Sequence, residues 1–189
     1  MSRPRKPDRL RRSTATLAAA DLIYTVEQVE QAFDRLAEAI TVTLRESNPI
    51  LLCVMVGGIV PTGKLLMRLD FPLQVDYLHA TRYREKTTGS KLQWLKHPEI
   101  SLTDRTVLIV DDILDEGLSL AAIVEECNRA GARAVYTAVL LEKSVERYRG
   151  LKRVDFVGLT VPNRYVFGYG MDYLGYLRNA AGIYAVKEA

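Results

Sequence analysis

The sequence predicts an α/β fold in which a twisted, mainly parallel sheet is flanked by helices. Three observations lead there. Continuous apolar runs at residues 50–56 and 107–110, and strand-like segments at 134–141 and 156–161, have the length of buried strands. Segments with apolar residues at helical spacing lie between them, the alternation that right-handed crossovers in a parallel sheet require. Glycine-rich or acidic stretches follow the predicted strands at once: Gly57-Gly58, the residues after Tyr83, residues 111–119, and Glu142-Lys143. Ligands of open parallel sheets bind beyond the carboxyl ends of the strands, so these four stretches should converge on one site.

The chain of 189 residues suits one domain, at ~100–200 residues per domain. Residues 1–12 hold six of its 26 basic residues and only one acid, Asp8. Residues 1–20 are therefore expected to be a disordered basic tail, and residues 21–189 a single domain. Thr25 and Gln28 form a capping-box pattern. Val29, Phe33, Leu36, Ile40 and Leu44 then recur at helical spacing, predicting a helix over about 26–46. A strand over 50–56 ends at Gly57-Gly58, and Pro61 suits the first turn of a helix at about 61–69. Residues 73–80 read as a strand running on to Tyr83, and the polar residues 84–98 as a long loop. Strand 107–110 leads to a helix over 118–130 that stops at Gly131. Strands over 134–141 and 156–161 follow.

Composition excludes several functions. Beyond residue 12 the chain carries 20 basic and 22 acidic groups, so its body does not attract nucleic acid. No run approaches the ~18 apolar residues of a membrane span. Cys53 and Cys127 are isolated, with neither disulfide nor metal spacing, and are expected as buried thiols of a reducing compartment. His79 and His97 are the only histidines, too few for a histidine metal site.

The chemistry concentrates at residues 107–120. An apolar strand delivers Asp111, Asp112 and Asp115 in quick succession, and Gly117 and Ser119 then open a helix. Crowded carboxylates seek hydroxyls or a cation, whereas a glycine turn into a helix N-terminus binds anions. A ribose phosphate bound with Mg²⁺ needs both. A calcium loop does not fit, because Ile113 or Leu114 falls where a ligand belongs. A phospho-aspartyl receiver lacks its second acidic strand end, since residues 156–161 run into Pro162-Asn163.

Residues 107–120 resemble the phosphoribosyl pyrophosphate (PRPP) signature of type I phosphoribosyltransferases: an apolar strand, two acids, two apolar residues, Asp, a variable residue, Gly and a serine-containing turn. Residues 154–158, then 162–173 with Arg178, resemble the base-binding segment of hypoxanthine-guanine phosphoribosyltransferases. The resemblance runs from about Leu22 to Val186. It implies the type I phosphoribosyltransferase fold, with a small hood formed by the N-terminal and C-terminal segments. It implies transfer of the phosphoribosyl group from PRPP to hypoxanthine or guanine in the cytoplasm, with Mg²⁺ as cofactor and a homodimer or homotetramer as the assembly.

By the same resemblance, Asp111 and Asp112 bind the ribose hydroxyls, and Asp115, Glu116, Gly117, Leu118 and Ser119 cradle the 5′-phosphate. Asp115 is the base at purine N7, and Lys143 donates to the purine O6. Tyr165 stacks on the base, Val166 offers backbone contacts, and Asp172 faces both base and Mg²⁺, which Asp111 and Asp112 also serve. Val56 and Gly57, with Arg178, take pyrophosphate, and Arg82 and Tyr83 belong to a closing lid. Three departures stand out. Val56 replaces a lysine of many relatives, Arg82 replaces a serine, and Glu116 and Leu118 sit inside the phosphate cradle, where Glu116 must face outward to avoid repelling phosphate. Two alternatives are a xanthine-preferring relative and a regulatory RNA-binding protein on the same scaffold, the latter supported only by the basic head.

Overall fold

The computed structural model describes residues 6–82, 92–148 and 150–187. Its centre is a six-stranded sheet built from β2 (Ile50–Met55), β3 (Gln74–Arg82), β4 (Leu92–Lys96), β5 (Thr106–Leu114), β6 (Ala134–Lys143) and β7 (Phe156–Val161), in the spatial order β4-β3-β2-β5-β6-β7. Every neighbouring pair is parallel except β3–β4. The central strand β2, and β5 over residues 107–110, are uniformly apolar because both of their faces are covered. The predicted α/β class and its mainly parallel sheet are thus borne out.

Two helices, α2 (Val26–Leu44) and α3 (Ile59–Leu66), pack on one face of the sheet. The helix α4 (Leu118–Arg129) packs on the other. The capping box of α2 is present: Gln28 N–H donates to Thr25 Oγ1 at 3.3 Å, and Thr25 N–H donates to Gln28 Oε1 at 2.9 Å. Its buried stripe, Val29, Phe33, Leu36, Ile40 and Leu44, is the periodic set read from the sequence, joined by Ala32 and Ala37.

A small antiparallel sheet forms the hood: β1 (Asp21–Tyr24), β9 (Ile183–Ala185) and β8 (Val166–Phe167), in that spatial order. It joins the two ends of the domain, as the family resemblance implies. The Tyr24 hydroxyl donates to Thr160 O at 2.6 Å and ties the hood to the edge strand β7.

The structure corrects two local expectations. Residues 6–19, expected to be disordered, form the helix α1 (Lys6–Ala19). Leucine, arginine and alanine are among the strongest helix formers, and this propensity outweighs the charge density that suggested disorder. Ser13 of α1 is buried; its hydroxyl donates to Arg9 O at 2.9 Å and lies 3.5 Å from Tyr173 O. Within the expected loop 84–98, Leu92–Lys96 pairs with β3 as an antiparallel edge strand. Gln93 and Leu95 are exposed while Trp94 and Lys96 are half-buried on this outermost strand, so the apolar and polar residues do not alternate with its two faces and no strand pattern marks it. Both cysteines are buried free thiols, and among the described residues no helix is long and apolar enough to cross a membrane.

Candidate active site

Strand register assembles the site. In the β5–β6 ladder Leu114 pairs with Glu142, so the next residues outward, Asp115 and Lys143, emerge side by side. The Lys143 ammonium donates to Asp115 Oδ2 at 2.8 Å. The Lys143 side chain is 12% exposed and that of Asp115 50%, so the lysine is the anchored member of the pair. In the β2–β5 ladder Cys53 pairs with Val110, which brings the turn after β2 against the acidic end of β5.

That contact requires glycine. A Cβ on Gly57 would lie 2.0 Å from Asp112 Oδ2, and one on Gly58 would lie 2.5 Å from Val110 O. The predicted pyrophosphate loop and ribose carboxylate therefore adjoin because residue 57 has no side chain. The Met55–Val56 peptide is cis. Val56 is 45% exposed and brings no charge. The Gly58 N–H is used inside the turn, donating to Val54 O at 2.8 Å.

Asp111 and Asp112 lie in the last turn of the pleat, and Asp111 Oδ1 accepts from the Asp112 N–H at 2.9 Å. Burial, reinforced by the neighbouring Asp112 charge, pushes the Asp111 carboxyl well above the usual carboxylate range. Burial also pushes the Asp112 carboxyl up, against the opposing pull of its hydrogen bond with Asp111 and of Arg178. Carboxyls held this way gain from any cation or hydroxyl brought to them.

Beyond them, Gly117 adopts φ 73° and caps α4 without any side-chain cap on the helix. A glycine turn running into a helix N-terminus is the arrangement that suits phosphate. Residues 115–119 line a cavity of about 280 Å³ with Asp111 at its wall. Ser119 sits in the first turn of α4, and Glu116 is exposed and lines the same cavity.

A second cavity of about 220 Å³ is lined by Asp112, Ile113, Asp115, Lys143, Tyr165, Val166, Met171 and Asp172. At about 30 Å³ for each water displaced, it has room for a flat heteroaromatic ring. Tyr165, 53% exposed, meets Tyr173 edge-on at 5.6 Å between ring centroids, and its hydroxyl donates to Asp172 O at 3.1 Å. Val166 is buried in β8. Asp172 Oδ1 accepts from Arg178 Nη2 at 2.6 Å and Oδ2 from the Gly175 N–H at 2.7 Å. Arg178 also donates to Gly170 O and lies 3.9 Å from Asp112 Oδ2, so it links the hood to the end of β5. Arg82 ends β3. Its side chain, like the whole of Tyr83, lies outside the described residues.

The structure adds residues that sequence reading passed over. Ile113 and Met171 supply apolar wall to the ring-shaped cavity. Arg147 donates to the carbonyls of Leu114, Asp115 and Lys143. Gly150 packs on Gly117, where a Cβ would lie 2.6 Å from the Gly117 carbonyl carbon.

Among the described residues no three His, Cys, Asp or Glu side chains converge to hold a metal ion. Asp111, Asp112 and Asp172 are therefore not an all-protein cage. Mg²⁺ commonly uses one or two carboxylates and completes its shell with water and substrate oxygens, and the adjoining Asp111 and Asp112 fit that mode.

A parallel sheet with an acidic strand end, a glycine turn into a helix N-terminus and a hooded ring-sized cavity has the parts that a sugar phosphate and a heterocycle would need. Residues 19–174 match the phosphoribosyl transferase domain family, and the chain belongs to that family. It is 27% identical over 168 residues to the hypoxanthine-guanine-xanthine phosphoribosyltransferase of Tritrichomonas foetus, covering 89% of this chain and 92% of the relative. It is 29% identical over 169 residues to the hypoxanthine-guanine phosphoribosyltransferase of Bacillus subtilis (strain 168), covering 89% and 93%. Among solved structures, a hypoxanthine-guanine phosphoribosyltransferase of Bacillus anthracis superposes with a TM-score of 0.82 at 27% identity, covering 88% of this chain and 98% of that one. The resemblance read from the two motifs is borne out.

Proposed function

We propose that the protein transfers the 5-phosphoribosyl group of PRPP to hypoxanthine or guanine, giving IMP or GMP and pyrophosphate. The observation that carries this reading is the Lys143–Asp115 pair, 2.8 Å apart on one wall of the cavity that Tyr165 overhangs. An ammonium is a donor only, so it suits an O6 acceptor and disfavours the exocyclic amine of adenine. The carboxylate beside it suits the N7 proton. A 6-oxopurine presents both groups on one edge.

In the reaction the N9–C1′ bond forms and the bond from C1′ to the pyrophosphate oxygen breaks. Asp115 receives the N7 proton. Asp111 and Asp112 hold the ribose hydroxyls, and their negative potential steadies the positive charge that builds at C1′. Residues 115–119 hold the 5′-phosphate, Arg178 and the Val56–Gly57 turn hold the leaving group, and Tyr165 stacks on the base. Asp111 and Asp112 would hold Mg²⁺, with Asp172 reaching it through water, and the ion when bound would neutralise charge on the pyrophosphate. The protein acts in the cytoplasm as a homodimer or homotetramer.

The test is nucleotide formation from PRPP and Mg²⁺ with hypoxanthine, guanine, xanthine and adenine in separate reactions. Hypoxanthine or guanine should be consumed fastest and adenine not at all. Faster use of xanthine or adenine would overturn the base assignment, and no nucleotide with any base would overturn the activity.

A further inference from the structure

We propose that Arg147 is a positioning residue for the purine end of the site, a clamp that sets the distance between Asp115 and Lys143. The inference rests on the reading of those two residues as the purine contacts.

The Arg147 side chain is 6% exposed, and its fork is fully employed. Nε donates to Asp115 O at 2.6 Å. Nη2 donates to Leu114 O at 2.9 Å and to Lys143 O at 2.7 Å. Nη1 donates to Glu142 Oε1 at 3.1 Å and to Lys152 O at 3.5 Å. One guanidinium thus binds the outer ends of β5 and β6, just past the point where their ladder stops at Leu114 and Glu142. Beyond that point no ladder bond holds Asp115 beside Lys143, and Arg147 replaces the missing rung. It grips main-chain carbonyls, so it fixes the paths of the two strand ends while their side chains remain free to meet a base.

The phosphate end is secured differently. The Leu151 N–H donates to Gly117 O at 2.9 Å, and a Cβ on Gly117 would lie 2.2 Å from Leu151 O. Gly150 and Gly117 also touch through backbone alone. The connection between β6 and β7 therefore braces both ends of the site through separate contacts, and loss of Arg147 should be felt at one of them. A lysine cannot substitute, because three N–H groups on one atom do not reach carbonyls on both strand ends as the planar fork does.

The experiment compares wild type, Arg147→Lys, Arg147→Ala and Glu142→Gln. Steady-state rates are measured with hypoxanthine, and PRPP affinity is measured calorimetrically with Mg²⁺ and no base. For Arg147→Lys, KM for hypoxanthine should rise at least tenfold and kcat fall at least tenfold, with the PRPP Kd within threefold of wild type. Millimolar guanidinium chloride should recover activity in Arg147→Ala, and ethylammonium chloride should not. Glu142→Gln keeps every carbonyl contact and should stay within threefold of wild type. The proposal is overturned if folded Arg147 variants match wild type, if PRPP affinity falls as far as KM rises, if both cations rescue equally, or if Glu142→Gln loses as much as Arg147→Lys. Should Arg147→Ala fail to fold, Arg147→Lys and Glu142→Gln decide. A wild type that makes no nucleotide refutes the proposed function and this inference with it. An active wild type with indifferent Arg147 variants refutes this inference alone.

Discussion

Replacing Gly57 by alanine tests the contact between the loop proposed to bind pyrophosphate and the carboxylates proposed to bind ribose. The new Cβ would stand 2.0 Å from Asp112 Oδ2 and 2.5 Å from its Cγ, where ordinary contact begins at 3.4 Å. The carboxylate must retreat by about 1.4 Å. Its backbone is restrained, because Asp111 and Ile113 on either side of it pair with β6. The side chain must turn off its rotamer instead, at about 1 kcal/mol, which lowers Tm by about 2–4 °C in a chain of this size. Misplacing a substrate-orienting group by about 1 Å can cost ~100-fold, so kcat/KM for PRPP should fall by about that factor, or about 2.7 kcal/mol of transition-state stabilisation. Gly63→Ala is the control, since nothing lies within 4 Å of its would-be Cβ in α3. That change should leave activity alone and stabilise the helix by up to about 1 kcal/mol. Initial rates with varied PRPP at saturating hypoxanthine, alongside thermal melts, measure both quantities. If Gly57→Ala keeps kcat/KM for PRPP within threefold of wild type, Asp112 is not where the sugar binds.

Other substitutions separate the remaining roles. Asp115→Asn should lower kcat by roughly 10²–10⁴-fold while PRPP affinity, measured calorimetrically, stays near wild type; wild-type turnover would remove Asp115 from the chemistry. Lys143→Ala should raise KM for hypoxanthine and guanine by about tenfold or more, the effect of one charge-assisted hydrogen bond at about 1.5–3 kcal/mol. An unchanged KM would mean that the base lies elsewhere. Glu30→Gln probes the link between α2, α3 and the hood, where Glu30 meets Lys64 at 2.6 Å, Arg68 at 2.7 Å and the Tyr169 hydroxyl at 2.9 Å. Burial alone would raise the Glu30 pKa, but these three partners outweigh it and hold the carboxyl below its ordinary value. Its contribution is therefore present above the ordinary carboxylate range and is lost as pH falls through the lowered pKa. Melts at neutral pH should show Glu30→Gln about 1.5 kcal/mol less stable, or about 3–6 °C lower in Tm. The gap should close in acid, and a constant gap at all pH would contradict the electrostatic account.

What the sequence revealed about fold and site depended on how local each signal was. Strand β2 and the first half of β5 were legible because a strand buried on both faces is a continuous apolar run, whatever its partners, and β6 and β7 because enough apolar residues still cluster in each to read as a strand. The cradle was legible because Asp111 to Ser119 place strand end, acids, turn and helix start within nine consecutive residues. The hood strands were not, since β1, β8 and β9 are four, two and three residues long, and β1 finds its partner only at the far end of the chain. Periodicity cannot emerge from so few residues, and only the family resemblance anticipated the hood. Arg147 was invisible for a related reason. Its partners are main-chain carbonyls, which carry no residue identity, and two of them lie more than thirty positions away.

The charged groups of the site share a property that bears on how substrates enter. Asp115 is paired with Lys143, Asp172 with Arg178 and Gly175, and Asp112 lies near Arg178. On the proposed function, a purine edge offering an O6 acceptor and an N7 proton would take the place of each partner for the other, and pyrophosphate would compete with Asp172 for Arg178. Substrate binding then exchanges one set of ion pairs for another, and no bare charge has to be desolvated at that moment. The pairs also hold each side chain close to the direction in which it is used, which lowers the cost of ordering it. Truncating one partner should therefore do more than delete a contact. In Asp172→Ala, Arg178 loses the carboxylate that aims it, keeping Gly170 O and its 3.9 Å neighbour Asp112. The freed cation is drawn toward Asp112, where it opposes Mg²⁺ and the ribose hydroxyls. Such a variant should weaken PRPP more than hypoxanthine, although Asp172 itself lines the ring cavity. A calorimetric PRPP Kd that stays at the wild-type value would show that Arg178 holds its place without Asp172.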